Sequence, residues 1–201
     1  MLTVVRHGQT GHNAGRRLSG RADVALDEVG AEQARAVGGC LAAAEGIDRL
    51  IASPLARTRA TAAAISEVVP GCPPVEVDER WIELDYGEWD GLPLAEVPPA
   101  TWAEWIADPH FRPPGGESLA ELGERVRSAC DALAADLAAT PDQHVVVVSH
   151  VSPIKAAVGW ALQAGDDLAW RLHVATASIT RIEVGRRGPV LHAFNETLHL
   201  F

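Results

Sequence analysis

"HVVVVSH", His144 to His150, is the stretch that decides the fold. Four consecutive valines do not alternate with polar residues, so they suit a strand buried on both faces of a parallel sheet. The run then ends abruptly in Ser149 and His150. Two shorter apolar runs end in a similar way. Leu2 to Val5 stops at Arg6 and His7, and "DRLIAS" stops just before "SPLARTRATA", which contains Arg57.

Helical patterns separate these strands. Glu28 to Ala44 is alanine-rich, with Val29, Ala36, Val37 and Leu41 as apolar positions and Asp27 as its cap. The next helix is predicted to start from Ser53 as cap, with Pro54 at the first helical position. Leu119, Leu122, Val126, Leu133 and Leu137 place one amphipathic stripe on a helix from Ser118 to Ala139, and a further helix is predicted over Ser152 to Gln163. "PVEVDER" reads as a short strand, and "ATASITRIEV" and "PVLHAFN", around "GRRG", as a closing hairpin. Gly8 to Arg21 reads as a loop. Trp81 to Ser118 is rich in Trp, Pro and Gly and predicts a lid or wall, with helical periodicity only around Thr101 to Ala107.

Strands alternating with helices specify an α/β three-layer sandwich, with a mostly parallel central sheet flanked by helices. Its ligand crevice belongs at the carboxyl ends of the strands. The 201 residues show no compositional seam, so one domain over 1–201 is expected, with the lid segment at about 81–118.

Asp and Glu outnumber Lys and Arg by 27 to 17, a formal net charge of −10. That balance argues against nucleic acid as a partner, because such binding draws its affinity from neutralised phosphates. Nearly all the positive charge is arginine, Lys155 being the only lysine. A guanidinium stays charged and grips an oxyanion with two parallel hydrogen bonds. Cys40, Cys72 and Cys130 are odd in number and lack metal-type spacing, so a reducing, cytoplasmic setting is expected. The N-terminal apolar run is too short for a signal sequence and no later run is long enough for a membrane span.

The crevice rule gathers Arg6, His7, Arg57 and His150 at one edge of the sheet. Taken singly, a strand-end histidine is structural and Arg57 is a surface ion-pair partner. Together, two guanidinium groups and two imidazoles make a pocket for a phosphoryl group with about two negative charges. "HExxH", a P-loop, G-x-G-x-x-G and G-x-S-x-G do not occur.

Six segments in order resemble the motifs of the histidine phosphatase superfamily, which includes the phosphoglycerate mutases. They are "RHGQTGHN", "SGRADVALDEVGAEQA", "SPLARTRATA", "IELDYGEWDGL", "PPGGES" and "VVVSHVSPIK". The resemblance is nearest to the short bacterial α-ribazole phosphatase and acid phosphatase type. An actinobacterial form of that type follows a ribonuclease H domain, a companion not expected here. The resemblance implies a phosphoglycerate mutase-like fold in which His7 takes the phosphoryl group, Arg6, Arg57 and His150 hold its oxygens, and Glu83 donates the proton. By residue type alone Asp85 and Glu88 are equal candidates for that acid. Asn13, Thr10, Ser19 and Gly20 match positions that contact phosphate or substrate, and the Val151 amide adds a donor. Thr10 and Asn13 are equally suited to bracing their loop. Tyr86 and Glu117 read as rim contacts, and His12 has no assigned role.

The implied activity is hydrolysis of a small phosphorylated metabolite through a phosphohistidine, with no metal and no cofactor. A phosphomutase is the alternative within the family, and a noncatalytic phosphoester-binding scaffold the alternative outside it. A homodimer through an edge strand is the expectation for assembly.

Overall fold

The computed structural model describes residues 1–43, 46–185 and 187–201. Six strands form one sheet: β1 (Leu2–Arg6), β2 (Arg49–Ala52), β3 (Val75–Val77), β4 (Val145–Ser149), β5 (Ile179–Gly185) and β6 (Gly188–Glu196). Their order is β3-β2-β4-β1-β5-β6. The first four in that order are parallel, and the closing hairpin adds β5 and β6 antiparallel. The helices are α1 (Gly11–Ala14), α2 (Glu28–Ala42), α3 (Ala56–Val68), α4 (Pro99–Ala107), α5 (Leu119–Ala139) and α6 (Val151–Leu162).

The valine run lies in the middle, as β4, with every residue buried. Its side chains alternate between two cores. Val145 and Val147 join Leu2, Val4 and Ile51 against α5 and α6. Val146 and Val148 join Val5, Leu50 and Ala52 against Val37, Leu41, Ala62 and Ile65 of α2 and α3. Each fully buried valine contributes about 1.5–3 kcal/mol relative to exposure, which explains why no polar residue interrupts the run. The result is the three-layer sandwich expected from the sequence.

Register brings the strand ends together. Arg6 pairs with Ser149 across β1 and β4, while Ala52 of β2 pairs with Val148. The next residues, His7, His150 and Ser53, therefore leave the sheet side by side.

Local chemistry moves several boundaries. Asp27 caps α2 by accepting from the Gly30 amide, and Ser118 caps α5 in a reciprocal capping box with Glu121. Ser53 is not a cap. The N-cap of α3 is Leu55, with no side-chain bond, because the Ser53 hydroxyl lies 2.7 Å from Nε2 of His150. Pro54 thus lies in the turn ahead of the helix. The predicted loop from Gly8 to Arg21 contains the one-turn α1, closed by Thr10 and Asn13. The last predicted helix runs one residue earlier at each end, as α6. Helix α2 is assigned through Ala42, and the expected end at Ala44, like Arg186 in the hairpin turn, lies outside the described residues. The Trp-rich stretch folds as short 3-10 turns at Gly87–Trp89 and Leu94–Glu96 followed by α4. No helix among the described residues is long and apolar enough to cross a membrane.

Candidate active site

Arg6 is the last residue of β1, and its Nη1 donates to the Val174 carbonyl at 2.7 Å. Its Nε–H is buried with no partner. Burial lowers the guanidinium to about 10, against the opposing pull of Glu83. His7 is 3 % exposed. Its amide donates to the Ser149 carbonyl and its own carbonyl accepts from the Ala177 amide.

The tautomer of His7 follows from its surroundings. Nδ1 lies 2.7 Å from the Gly8 carbonyl oxygen, which can only accept, so Nδ1 carries the proton. The lone pair is therefore on Nε2. Burial, then the charges of Arg6 and Arg57, hold the imidazole well below its usual pKa. A neutral imidazole with a free nitrogen lone pair is a nucleophile.

Helices α3 and α2 brace the loop that follows. The Gly8 amide donates to Thr61 Oγ1, and the Gln9 amide donates to Gln33 Oε1. Gly8 and Gly30 pass so closely that a Cβ on Gly8 would sit 2.2 Å from the Gly30 oxygen. Only glycine permits that approach.

Arg57 and His150 form a buried layer beside His7. Arg57 is 0 % exposed and donates from Nη1 to the Ala22 carbonyl and from Nη2 to the Gly20 carbonyl. Its Nε donates to Nδ1 of His150 at 3.2 Å. Since Nδ1 accepts, the His150 proton is on Nε2 and goes to Ser53 Oγ. The two imidazole rings meet edge to face at 5.1 Å between centroids. Burial, then Arg57 and His7, push the His150 pKa well below its ordinary value.

Glu83, 3 % exposed, accepts from the Leu84 amide at 2.7 Å and the Ser152 amide at 3.2 Å. Its segment is fixed at three backbone carbonyls. Ser149 Oγ donates to the Trp81 carbonyl, and Arg125 donates to the Arg80 and Glu83 carbonyls while gripping Glu117 with two nitrogens. Asp85 instead pairs with Arg21, and Glu88 is exposed without an ion pair among the described residues.

A cavity of about 310 Å³ opens here, and Arg6, His7, Asn13, Ser19, Glu83, Tyr86 and Val151 line it. That volume is at the small end for pockets that enclose organic ligands. Thr10, Gly20, Arg57 and His150 are not on its wall. Thr10 is buried in the capping box, and Gly20 contributes a carbonyl to Arg57 and an amide to Asp90. Glu117 is likewise off the wall, held by Arg125. Burial pushes the Tyr86 hydroxyl up, with Glu83 acting in the same direction.

The sequence reading missed Arg17, Trp170 and Lys155, all on the cavity wall, and the Ser152 amide on Glu83. One signal was available. Lys155 falls four residues after Val151, on the same face of α6. Among the described residues no group of three His, Cys, Asp or Glu is arranged to hold a metal.

Known proteins resemble this chain in sequence and in fold. A bifunctional protein of Mycobacterium tuberculosis is 38% identical over 185 residues, 90% of this chain and 50% of that one. The chain thus spans about half the length of that relative. Phosphoserine phosphatase 1 of Hydrogenobacter thermophilus is 34% identical over 209 residues, covering 99% of this chain and 93% of that one. The mycobacterial glucosyl-3-phosphoglycerate phosphatase solved with VO3 superposes with a TM-score of 0.86 at 30% identity, over 98% of each chain. The family described as the histidine phosphatase superfamily (branch 1) matches residues 2–197. With that match running from the first strand past the last, the chain belongs to the histidine phosphatase superfamily.

Proposed function

We propose that the chain is a phosphomonoesterase that needs no metal and works through a phosphohistidine on His7. The observation that carries this reading is the Nδ1 bond to Gly8, which leaves Nε2 unprotonated in a cavity shared with Arg6 and Glu83. Nε2 attacks phosphorus as the bond to the ester oxygen breaks, and protonated Glu83 gives its proton to the departing alcohol. Water then attacks the phosphohistidine and loses a proton to the Glu83 carboxylate, releasing phosphate and restoring both groups. Arg6, with its unused Nε–H, and Arg57 counter the charge on the equatorial oxygens. His150 joins them by exchanging its Nε2–H bond to Ser53 Oγ for one to the anion. Asn13 and Ser19 from the loop, and the Val151 amide, complete the phosphoryl and substrate contacts.

A small phosphorylated metabolite is the substrate, with α-ribazole phosphate and sugar phosphates as the first candidates. The three free cysteines suit a cytoplasmic location. Hydrolysis of para-nitrophenyl phosphate, with quenching in alkaline detergent to trap phosphoprotein, tests the reading. The wild type should form an acid-labile, alkali-stable adduct. His7→Ala should lose the adduct and more than about a thousandfold in turnover. Phosphate binding without turnover would favour a scaffold, 3-phosphoglycerate isomerisation faster than phosphate release a mutase, and loss of activity to a chelator a metal enzyme.

A further inference from the structure

The cavity is larger than a phosphoryl site requires, and its remaining wall is chemically specific. Leu94, Trp102, Trp105, Leu119 and Trp170 supply an apolar surface. Trp102 stacks on Trp105 at 5.3 Å and 10°, and Trp170 meets both rings edge-on. Polar groups without partners interrupt that surface. Trp105 is 2 % exposed and its indole N–H has no acceptor, and the Ser19 hydroxyl is buried unpaired.

Lys155 is set apart by its place on the cavity wall. In a chain with ten more acidic than basic side chains, Arg21, Arg49, Arg80, Arg112, Arg125, Arg127 and Arg181 all have carboxylate partners. The only lysine, partly buried on the cavity wall, has no ion pair or hydrogen bond among the described residues. The side chain of Arg17, on the same wall, donates to the Gly91 carbonyl and has no ion pair among the described residues. Burial lowers the pKa of Lys155, with Glu83 opposing, so the ammonium is held at a desolvation cost that Glu83, without a direct bond to it, offsets only in part.

We propose that this compartment binds the alcohol end of the substrate through a second anionic group, carboxylate or phosphoryl, held by Lys155, with the carbon skeleton against Trp102 and Trp170. Lys155 is then a specificity-determining residue. A desolvated ammonium forms a charge-assisted hydrogen bond to such a group. The neutral isostere loses that bond and leaves the cation unpaired. The turnover assay rests on the phosphomonoesterase reading, whereas the binding assay does not.

The probes are para-carboxyphenyl phosphate, its uncharged isostere para-carbamoylphenyl phosphate, and para-phenylene bisphosphate. Wild type should prefer at least one of the two probes with a second anionic group to the carbamoyl ester by about tenfold or more in kcat/KM. The probe preferred identifies the anion. Lys155→Met should bring that ratio to within about twofold of one, and Lys155→Arg should retain most of it. Comparing ratios between variants cancels the intrinsic reactivity of each phenol. A wild-type ratio near one for both probes with a second anionic group, or a Lys155→Met ratio equal to wild type, overturns the proposal. The wild-type comparison decides it even where a variant does not fold. In parallel, calorimetry measures binding of para-carboxybenzylphosphonate and its carbamoyl analogue to wild type and Lys155→Met. A Lys155-dependent carboxylate preference without any turnover sustains the compartment and sinks the phosphatase reading. Turnover without preference does the reverse.

Discussion

Two buried neutral imidazoles make this fold sensitive to mild acid, by an amount the site geometry sets. His7 and His150 are 3 % and 0 % exposed, and both have pKa values held well below normal. Burial is the larger cause, followed by Arg6 and Arg57 for His7 and by Arg57 and His7 for His150. Unfolding releases them to titrate near about 6.5. Between that value and the depressed native one, the unfolded chain binds protons that the native chain does not, so stability falls as pH falls. At pH 5.5, one unit below the unfolded value, each imidazole costs about 1.4 kcal/mol relative to pH 8, and the pair about 3 kcal/mol. With a urea slope of about 2 kcal/mol/M, each accounts for about 0.7 M in the midpoint. Urea unfolding followed by tryptophan fluorescence at pH 8 and 5.5 measures the difference. His7→Gln and His150→Gln should each shrink the pH-dependent shift by about 0.7 M. If both variants show the full wild-type shift, the imidazoles titrate in the native state and the assignment of neutral, buried rings is wrong.

The same depression sets the acid limb of kcat/KM, which reports the free enzyme. With His7 neutral well below the usual imidazole range, the rate constant should hold through pH 6, and a fall centred near 6.5 would contradict it. Gly30→Ala would put a Cβ 2.0 Å from the Gln9 oxygen. It should cost about 1–3 kcal/mol by thermal melting and lower kcat through the displaced His7 loop; unchanged melting would refute the contact. Ser53→Ala leaves the Nε2–H of His150 buried and unpaired, at about 1–3 kcal/mol in urea unfolding, where a cap deletion would leave kcat untouched and this change should lower it. Arg125→Met frees the carbonyls of Arg80 and Glu83, so kcat should fall more than KM changes, with partial rescue in Arg125→Lys; equal effects of Met and Lys would exclude a positioning role.

What could be read from the sequence and what could not divides along the range of the forces involved. The valine run needed only its own composition to become β4, because burial on both faces is a property of the segment. From β4, the rule that crevices form at carboxyl ends was enough to group Arg6, His7 and His150. The register Arg6–Ser149 is the physical content of that rule.

Ser53 shows where such reading stops. Before an alanine-rich helix, a serine followed by proline has every local qualification as a cap, but its hydroxyl is taken by a histidine 97 residues away. A local hydrogen bond to a backbone amide competes with a buried bond to an imidazole that would otherwise be orphaned, and the larger penalty wins. Thr10 is the converse. Its family-matched position suggested a ligand contact, while the hydroxyl closes the capping box of a helix only four residues long, too short to carry a periodic signal. The cavity wall was hidden for a third reason. Trp102, Trp170 and Lys155 come from three separate segments, and their shared surface exists only after α4 and α6 have packed. A lone lysine among arginines, four residues after Val151, marked one point of that surface. Its unpaired charge became visible only when the Glu83 carboxylate, which faces the same cavity, was seen to be taken by the Leu84 and Ser152 amides.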